Sequence, residues 1–329
     1  MSPSEILYQL IAQPSVNPMG REDVSENFGE ARMSDWLVAY FQSLGAPHER
    51  LEVLPGRDNV LARYDSPNPG AETILLDAHQ DTVPVEGMTI PPFEPRTSEG
   101  RIYGRGSVDV KGSMAAMLDA FSRLWRERPA KAPNVVLSCS CDEEATAHGA
   151  RALVSYWQPG ANKSRLLAQP PSLAIVAEPT ELDVVVAHRG VLRFRIRTQG
   201  RACHSSHPEQ GKNAIYLMAQ VIVRLQEQAA ALASSTRVHP LCGGPRMSVC
   251  RIEGGSAVNI VPDHCRIEID RRLIPGEDPQ QVWEALRDSL SDLGEDVICE
   301  PAWIRVGALP DDNNAALAER LLQTVQGVV

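Results

Sequence analysis

No apolar run in this 329-residue chain approaches the roughly 20 residues that cross a bilayer, so no membrane-spanning helix is expected. Aromatic residues make up only 5%, which argues against recognition built on stacked rings. Lysine and arginine never gather into a run, and the formal net charge is −10; both argue against a nucleic-acid partner. The N-terminal stretch MSPSEILYQLIAQPSV has no basic start and no long apolar segment, so no export signal is read. Seven cysteines, an odd number without regular spacing, offer no disulfide framework. The one close pair, Cys139 and Cys141, is spaced to share a strand face and reads as two buried free thiols. Reduced thiols without an export signal place the expectation in the cytoplasm. Repeats and low-complexity tracts are missing too.

What is present fits a soluble globular protein too long for one ordinary core, with 43% apolar and 22% charged residues. Helical spacing of Leu, Ile, Phe and Trp predicts helices over 4–13 and 30–44, the second stopped by Gly45. Strands are predicted at 58–64, 73–78, 135–140 and 173–177. A helix is predicted from Ser113 to Arg126, with Met114, Met117, Leu118, Phe121 and Leu124 on its apolar face. This alternation implies a mixed or parallel sheet flanked by helices. The character changes near residue 185. VVVAHRGVLRFRIRTQG reads as two short strands, followed by a helix over 212–233 and strands over 246–253 and 262–272. A helix over 279–293 and a strand over 296–301 complete a ferredoxin-like order.

Four short motifs carry chemistry: His79-Gln80-Asp81, Asp109 in GRGSVDVKG, Glu143-Glu144 in SCSCDEEA, and Glu178 in IVAEPT. The first, third and fourth follow predicted strands, which places them beyond carboxyl ends, where such folds bind ligands. Each motif has a bland reading by itself. His79 could be a satisfied histidine at a strand end, and Asp109 an acid at a helix start. Lys111 beside it could pair with solvent. The Asp142-Glu143-Glu144 triplet could be a solvated loop, and Glu178 the first residue of one. Together they supply the imidazole and hard carboxylates that a pair of divalent ions needs to activate water. One carboxylate can bridge two ions, and the repulsion within an acid triplet falls when cations neutralise it. Asp81 could accept the second ring N–H of His79 and orient it.

The motifs HQD, GRGSVDVKG, DEEATAHGA and AEPTELDVVVAHRG resemble those of the M20 family of di-zinc peptidases and amidohydrolases. The resemblance continues through RACHSSHPEQGKNAI and GGSAVNIVPDHCRIEIDRRLIPGEDP, so it spans nearly the whole chain. It implies a zinc-exopeptidase-like α/β domain over 1–184, an inserted ferredoxin-like lid and dimerisation domain over 185–297, and a return to the catalytic domain over 298–329. It implies that His79 and Glu178 hold one metal, that Glu144 holds the other, and that Asp109 bridges them. Asp81 backs His79, and Glu143 is the general base and later the acid. A cis peptide bond after Asp109 is implied as well. In the second domain, His204 would reach the partner subunit's site and stabilise an oxyanion, while Asn259 and Arg272 would grip a substrate carboxylate. Two divalent ions are the implied cofactors. Zinc suits the donors best, with cobalt and manganese also admitted.

The activity implied is hydrolysis of N-acyl amino acids by metal-activated water, in the acetylornithine deacetylase and succinyl-diaminopimelate desuccinylase branch, by a homodimer joined through 185–297. The alternatives are a dipeptidase or carboxypeptidase of the same fold, or a non-catalytic relative that dimerises or binds metabolites. The family carries one further metal-binding histidine near its C-terminus, after a Gly-rich segment. No histidine follows His264 here. The expectation is a shortened chain with a weakly held second ion and poor catalysis.

Overall fold

The computed structural model describes residues 1–21, 25–158, 160 and 164–327. They form two compact units, 1–182 and 183–329.

The first unit runs α1 (Pro3–Ile11), α2 (Ala31–Leu44), β1 (His48–Leu54), β2 (Arg57–Tyr64), β3 (Thr73–His79), β4 (Arg96–Ser98), β5 (Arg101–Tyr103), α3 (Lys111–Glu127), β6 (Asn134–Ser140), α4 (His148–Ser155) and β7 (Leu173–Val176). Local signals explain several boundaries. Ser2 and Glu5 close a reciprocal capping box on α1, with Pro3 in the first turn. Gly45 ends α2 with φ 68°, a backbone region open to glycine at little cost. The main sheet has the order β1-β2-β6-β3-β7. β1, β2 and β6 are antiparallel neighbours, whereas β6, β3 and β7 run parallel, with His79 opposite Ser140 and Asp77 opposite Val176. β4 and β5 form a separate small ribbon.

Alternation along the strands divides the core. Val60, Ala62, Ala78, Leu137 and Cys139 face one side and pack with Ile6, Leu37, Phe41, Met114, Leu118 and Phe121 of α1, α2 and α3. Leu61, Leu75 and Val136 face the other and pack with Leu153 and Tyr156 at α4. The sheet thus carries helices on both faces, as the alternating elements imply. α3 begins at Lys111, two residues before the expected start. Lys111 is not solvated: it is fully buried, and its Nζ donates to the carbonyls of Leu10 (3.1 Å) and Gln13 (2.8 Å) at the end of α1. Burial and the charge of Arg105 bring its pKa down to about 7.

The second unit runs β8 (Gly190–Gln199), β9 (Cys203–His204), α5 (Ala214–Ala233), β10 (Arg246–Gly254), β11 (Ile260–Val261), β12 (His264–Leu273), α6 (Pro279–Asp288), β13 (Val297–Cys299), β14 (Ile304–Val306) and α7 (Ala315–Gln326). Its sheet is antiparallel in the order β10-β12-β8-β13, with β14 also on β8. That order with crossovers α5 and α6 is ferredoxin-like. Leu192, Phe194 and Ile196 meet Met218, Val221 and Leu225 of α5 in its core. The opposite face of β8 is an ion-pair ladder. Arg193 pairs with Asp270, Arg195 with Glu268 and Arg197 with Glu300, at 2.6–2.9 Å.

Two expectations differ from what is observed here. VVVAHRG is not a strand of its own; Val184–Gly190 is held by a bridge between His188 and Leu309 and by Asn314, whose side chain donates to Val186 O at 2.8 Å. Residues 304–306, expected to return to the first domain, instead hydrogen-bond along Val191–Arg193 of β8, which offers them a free edge beyond β13.

Candidate metal centre

Three parallel strands end side by side, and the chemistry lies just past their ends. His79 is the last residue of β3, Glu143 and Glu144 follow β6, and Glu178 follows β7. Pairing continues past the strands: Gln80 N donates to Ser140 O, and Ala177 N to Asp77 O, both at 2.8 Å. Gln80 turns away from the site and ties the sheet together, its amide donating to Asp58 O and Cys139 O while accepting from Ser34. Asp109 arrives from the loop before α3, through a cis Asp109–Val110 peptide bond.

One ligand atom each from His79, Asp109 and Glu178 lies within 4.8 Å of the others. His79 is buried, and Asp109 and Glu178 are exposed. His79 Nδ1 lies 2.9 Å from the main-chain oxygen of Asp81, which fixes the tautomer and leaves Nε2 facing Asp109 Oδ1 at 3.1 Å. A lone pair opposite a carboxylate repels it unless a proton or cation lies between them. Burial works against protonation of His79, but the hydrogen bonds to Asp109 and Asp81 and the charges of Asp81 and Glu143 outweigh it and raise its pKa to about 11.

The carboxylates respond in the same sense. Burial, then the charge of Asp109 and further acids, brings Glu144 to about 7. Burial, opposed by His79 and reinforced by Glu143, Asp109 and Glu144, brings Glu178 to about 7. Glu143 is raised by burial and by Asp81, Asp109 and Asp142, against the pull of His79. Crowded acids and an imidazole that all favour added positive charge are a donor set that divalent ions fit.

The structure separates the expected site residues into groups. His79, Asp109 and Glu178 form the three-donor cluster found among the described residues, and Glu144 is outside it. Glu144 Oε1 accepts instead from Val83 N at 3.1 Å. Asp81 lies against Nδ1 of His79 through two of its oxygens. Its carboxylate is 3.6 Å from His79 Nδ1, whose nearer acceptor is the Asp81 main-chain oxygen. The Asp81 carboxylate accepts from Asn17 Nδ2 (2.7 Å) and from the amides of Glu143 and Glu144 (both 3.1 Å). The third acid of the triplet, Asp142, is turned inward rather than solvated and pairs with Arg57. His148 Nδ1 meets its other oxygen at 2.8 Å.

Sequence reasoning missed Asn17, Glu30 and Arg57. The signal available was Arg57 itself, a cation opening a strand whose next five residues are all buried.

In the second unit, exposed His204 sits on the short β9–β11 ribbon opposite Ile260, and Ser205 N donates to Asn259 O at 3.0 Å, so His204 and Asn259 are neighbours. Arg272 lies near the end of β12, with Nε donating to Asp270 at 2.7 Å; the adjacent Arg271 is buried against Glu277.

Fold and donor set together are those of a metal-dependent hydrolase. Residues 186–297 match the peptidase dimerisation domain, and residues 59–230 match peptidase family M28. The chain is 31% identical over 283 residues to the acetylornithine deacetylase of Vibrio campbellii, covering 85% of this chain and 71% of the relative. It is 30% identical over 338 residues to that of Salmonella arizonae, covering 99% and 83%. A tripeptidase from Staphylococcus aureus superposes with a TM-score of 0.70 at 18% identity, over 98% of this chain and 81% of the other. A dinuclear metal-binding peptidase of the M20 family from Bacillus subtilis superposes with a TM-score of 0.65 at 17% identity, over 98% and 79%. The chain belongs to the M20 family of metallopeptidases and amidohydrolases. Among the described residues, no helix is long and apolar enough to cross a membrane.

Proposed function

We propose that this chain hydrolyses the amide bond of N-acyl amino acids, with N-acetylornithine, the substrate named for its relatives, as the leading case. The observation that carries this is the convergence of His79, Asp109 and Glu178 at the ends of parallel strands, beside a turn that presents Glu143 and Glu144. His79, Asp109 and Glu178 would hold one divalent ion. Asp109 and Glu144 would hold a second with two donors, and so less tightly. Zinc suits this mixed set best, with cobalt and manganese as substitutes. Bound there, such ions supply polarisation of the amide carbonyl and acidification of water.

The chain's own groups do the rest. Glu143, whose pKa is raised by burial and neighbouring acids, takes the proton from the attacking water and returns it to the leaving amine. Asp81 fixes the amides of Glu143 and Glu144, so that proton carrier and donor move together. His204 would donate to the oxyanion of a partner subunit's substrate in a homodimer joined through 185–297. Arg272 and Asn259 would bind the substrate carboxylate, for which a guanidinium fork is suited.

The test compares release of amino acid from N-acetylornithine and from dipeptides at saturating Zn2+ or Co2+. Faster hydrolysis of the acyl amino acid is expected. Faster dipeptide cleavage would move the chain to the peptidase branch, and hydrolysis of neither by the metal-loaded chain would leave the non-catalytic reading.

A further inference from the structure

Three successive main-chain amides lead into the glutamates of the site, and each ends on a buried carboxylate. Asp142 N donates to Glu30 Oε1 at 3.0 Å, Glu143 N to Asp81 Oδ1 at 3.1 Å, and Glu144 N to Asp81 Oδ2 at 3.1 Å. Glu30 and Asp81 are wholly buried, and Asp142 is 2% exposed. Three carboxylates so placed lose hydration and repel one another.

One guanidinium offsets them. Arg57 Nε and Nη2 grip the two oxygens of Glu30 at 2.6 and 2.5 Å, and its Nη1 donates to Asp142 Oδ1 at 2.7 Å. Asn17 Nδ2 closes the circuit, at 2.7 Å from Asp81 Oδ2 and 3.1 Å from Asp142 Oδ1. Asp142 has φ 62°, in the left-handed region that a residue with a Cβ occupies only when its surroundings hold it there. Contacts of its carboxylate with Arg57, Asn17, Thr146 and His148 provide that hold.

We propose that Arg57, acting through Glu30 and Asp142, is a positioning residue that sets the direction in which Glu143 and Glu144 leave this turn, with Asn17 as the tie to Asp81. The inference rests on the reading of Glu143 as proton carrier and Glu144 as metal donor. The planar fork matters because it satisfies both oxygens of Glu30 and still reaches Asp142; an ammonium supplies the charge but not the plane. Without the guanidinium, Glu30 loses the cation that grips both its oxygens, and the ring of His148 is the one basic group left in contact with Asp142 among the described residues. Relief comes when Asp142 swings towards solvent, which pulls the amides of Glu143 and Glu144 off Asp81.

The test uses the full chain with Arg57→Met, Arg57→Lys and Asn17→Ala. Hydrogen exchange of the metal-free protein is read by mass spectrometry over 140–147, and Co2+ binding is followed by titration. In Arg57→Met and Asn17→Ala, exchange of amides 142–144 rises by about 10-fold or more while α3 keeps its protection. Co2+ affinity of the position that depends on Glu144 falls by about 10–100-fold, and that of the position that depends on Glu178 holds. Arg57→Lys lies between wild type and Arg57→Met. Unchanged exchange at 142–144, an equal loss across α3, or equal weakening of both positions overturns the proposal. Should Arg57→Met fail to fold, Asn17→Ala, which removes no charge, decides. Wild-type protein that takes up no Co2+ sinks the functional reading of the site, while the exchange pattern still judges the network by itself.

Discussion

Gly149→Ala sets two effects of opposite sign against each other at the edge of the site. Gly149 is the second residue of α4, and replacing glycine by alanine inside a helix ordinarily stabilises by about 1 kcal/mol. Here an added Cβ would lie 2.5 Å from Cys141 N and 2.7 Å from Asn59 Oδ1, with Cys141 O nearer still. None of these is the loose end of a flexible chain. Cys141 N donates to Asn59 Oδ1 at 3.0 Å, Asn59 Nδ2 donates to Gly149 O at 2.9 Å, and Gly149 N donates to Cys141 O at 3.1 Å. Overpacking costs about 1–3 kcal/mol, and two backbone atoms of Cys141 together with a side chain held by hydrogen bonds put this case at the upper end, so the clash wins by about 2 kcal/mol. Gly70→Ala is the control, since its Cβ would meet nothing nearer than 3.8 Å and its stability should stay within about 0.5 kcal/mol of wild type. The assay is urea unfolding followed by the fluorescence of Trp36, Trp125 and Trp157 of the first unit, in a background with Trp283→Phe and Trp303→Phe. Gly149→Ala should lower the midpoint with the slope unchanged. A midpoint equal to wild type or higher would refute the packing argument.

The remaining predictions concern groups remote from the metal donors or inert in the native state. Glu49 is buried, which alone would raise its pKa, but hydrogen bonds from Ser164, Arg165 and Leu166 outweigh that and hold it below its usual value of 4.5. A depressed carboxylate stabilises fully above the unfolded value and loses that contribution as pH falls through the folded one. Glu49→Gln should therefore flatten the stability of the first unit below about pH 4.5; an unchanged acid limb would contradict this. Burial pushes the Cys139 and Cys141 thiols well above their usual range, whereas Cys250 is exposed. Thiol reagents should modify Cys250 quickly and the buried pair only after unfolding, as mapped by peptide mass; native-state labelling of Cys139 at the rate of Cys250 would disagree.

The legible part of the fold is the part written in local pattern. VVLSCS and LAIVA announce strands, and the acids after them announce the sheet edge where His79, Asp109 and Glu178 converge. The support beneath was not legible, because it is made of long-range pairs. Arg57 and Asp142 are 85 residues apart, and Asn17 and Asp81 are 64 apart, and no periodicity reports that they meet. The same limit explains Lys111, whose partners lie in α1, and Asp142, which reads as one more solvated acid until its neighbours are known. β14 was not legible as a strand for a related reason: three residues carry too little pattern to announce one, and they pair along the free stretch of β8.

Calorimetric titration of the metal-free chain with Zn2+, run beside His79→Ala and Glu178→Ala, tests the central claim most directly. One tight ion per chain is predicted for the wild type, with a second bound far more weakly, and either substitution should abolish the tight step while leaving the fold intact. A tight step that survives both substitutions, or two equally tight ions in the wild type, would contradict the assignment of His79, Asp109 and Glu178 as the principal metal position.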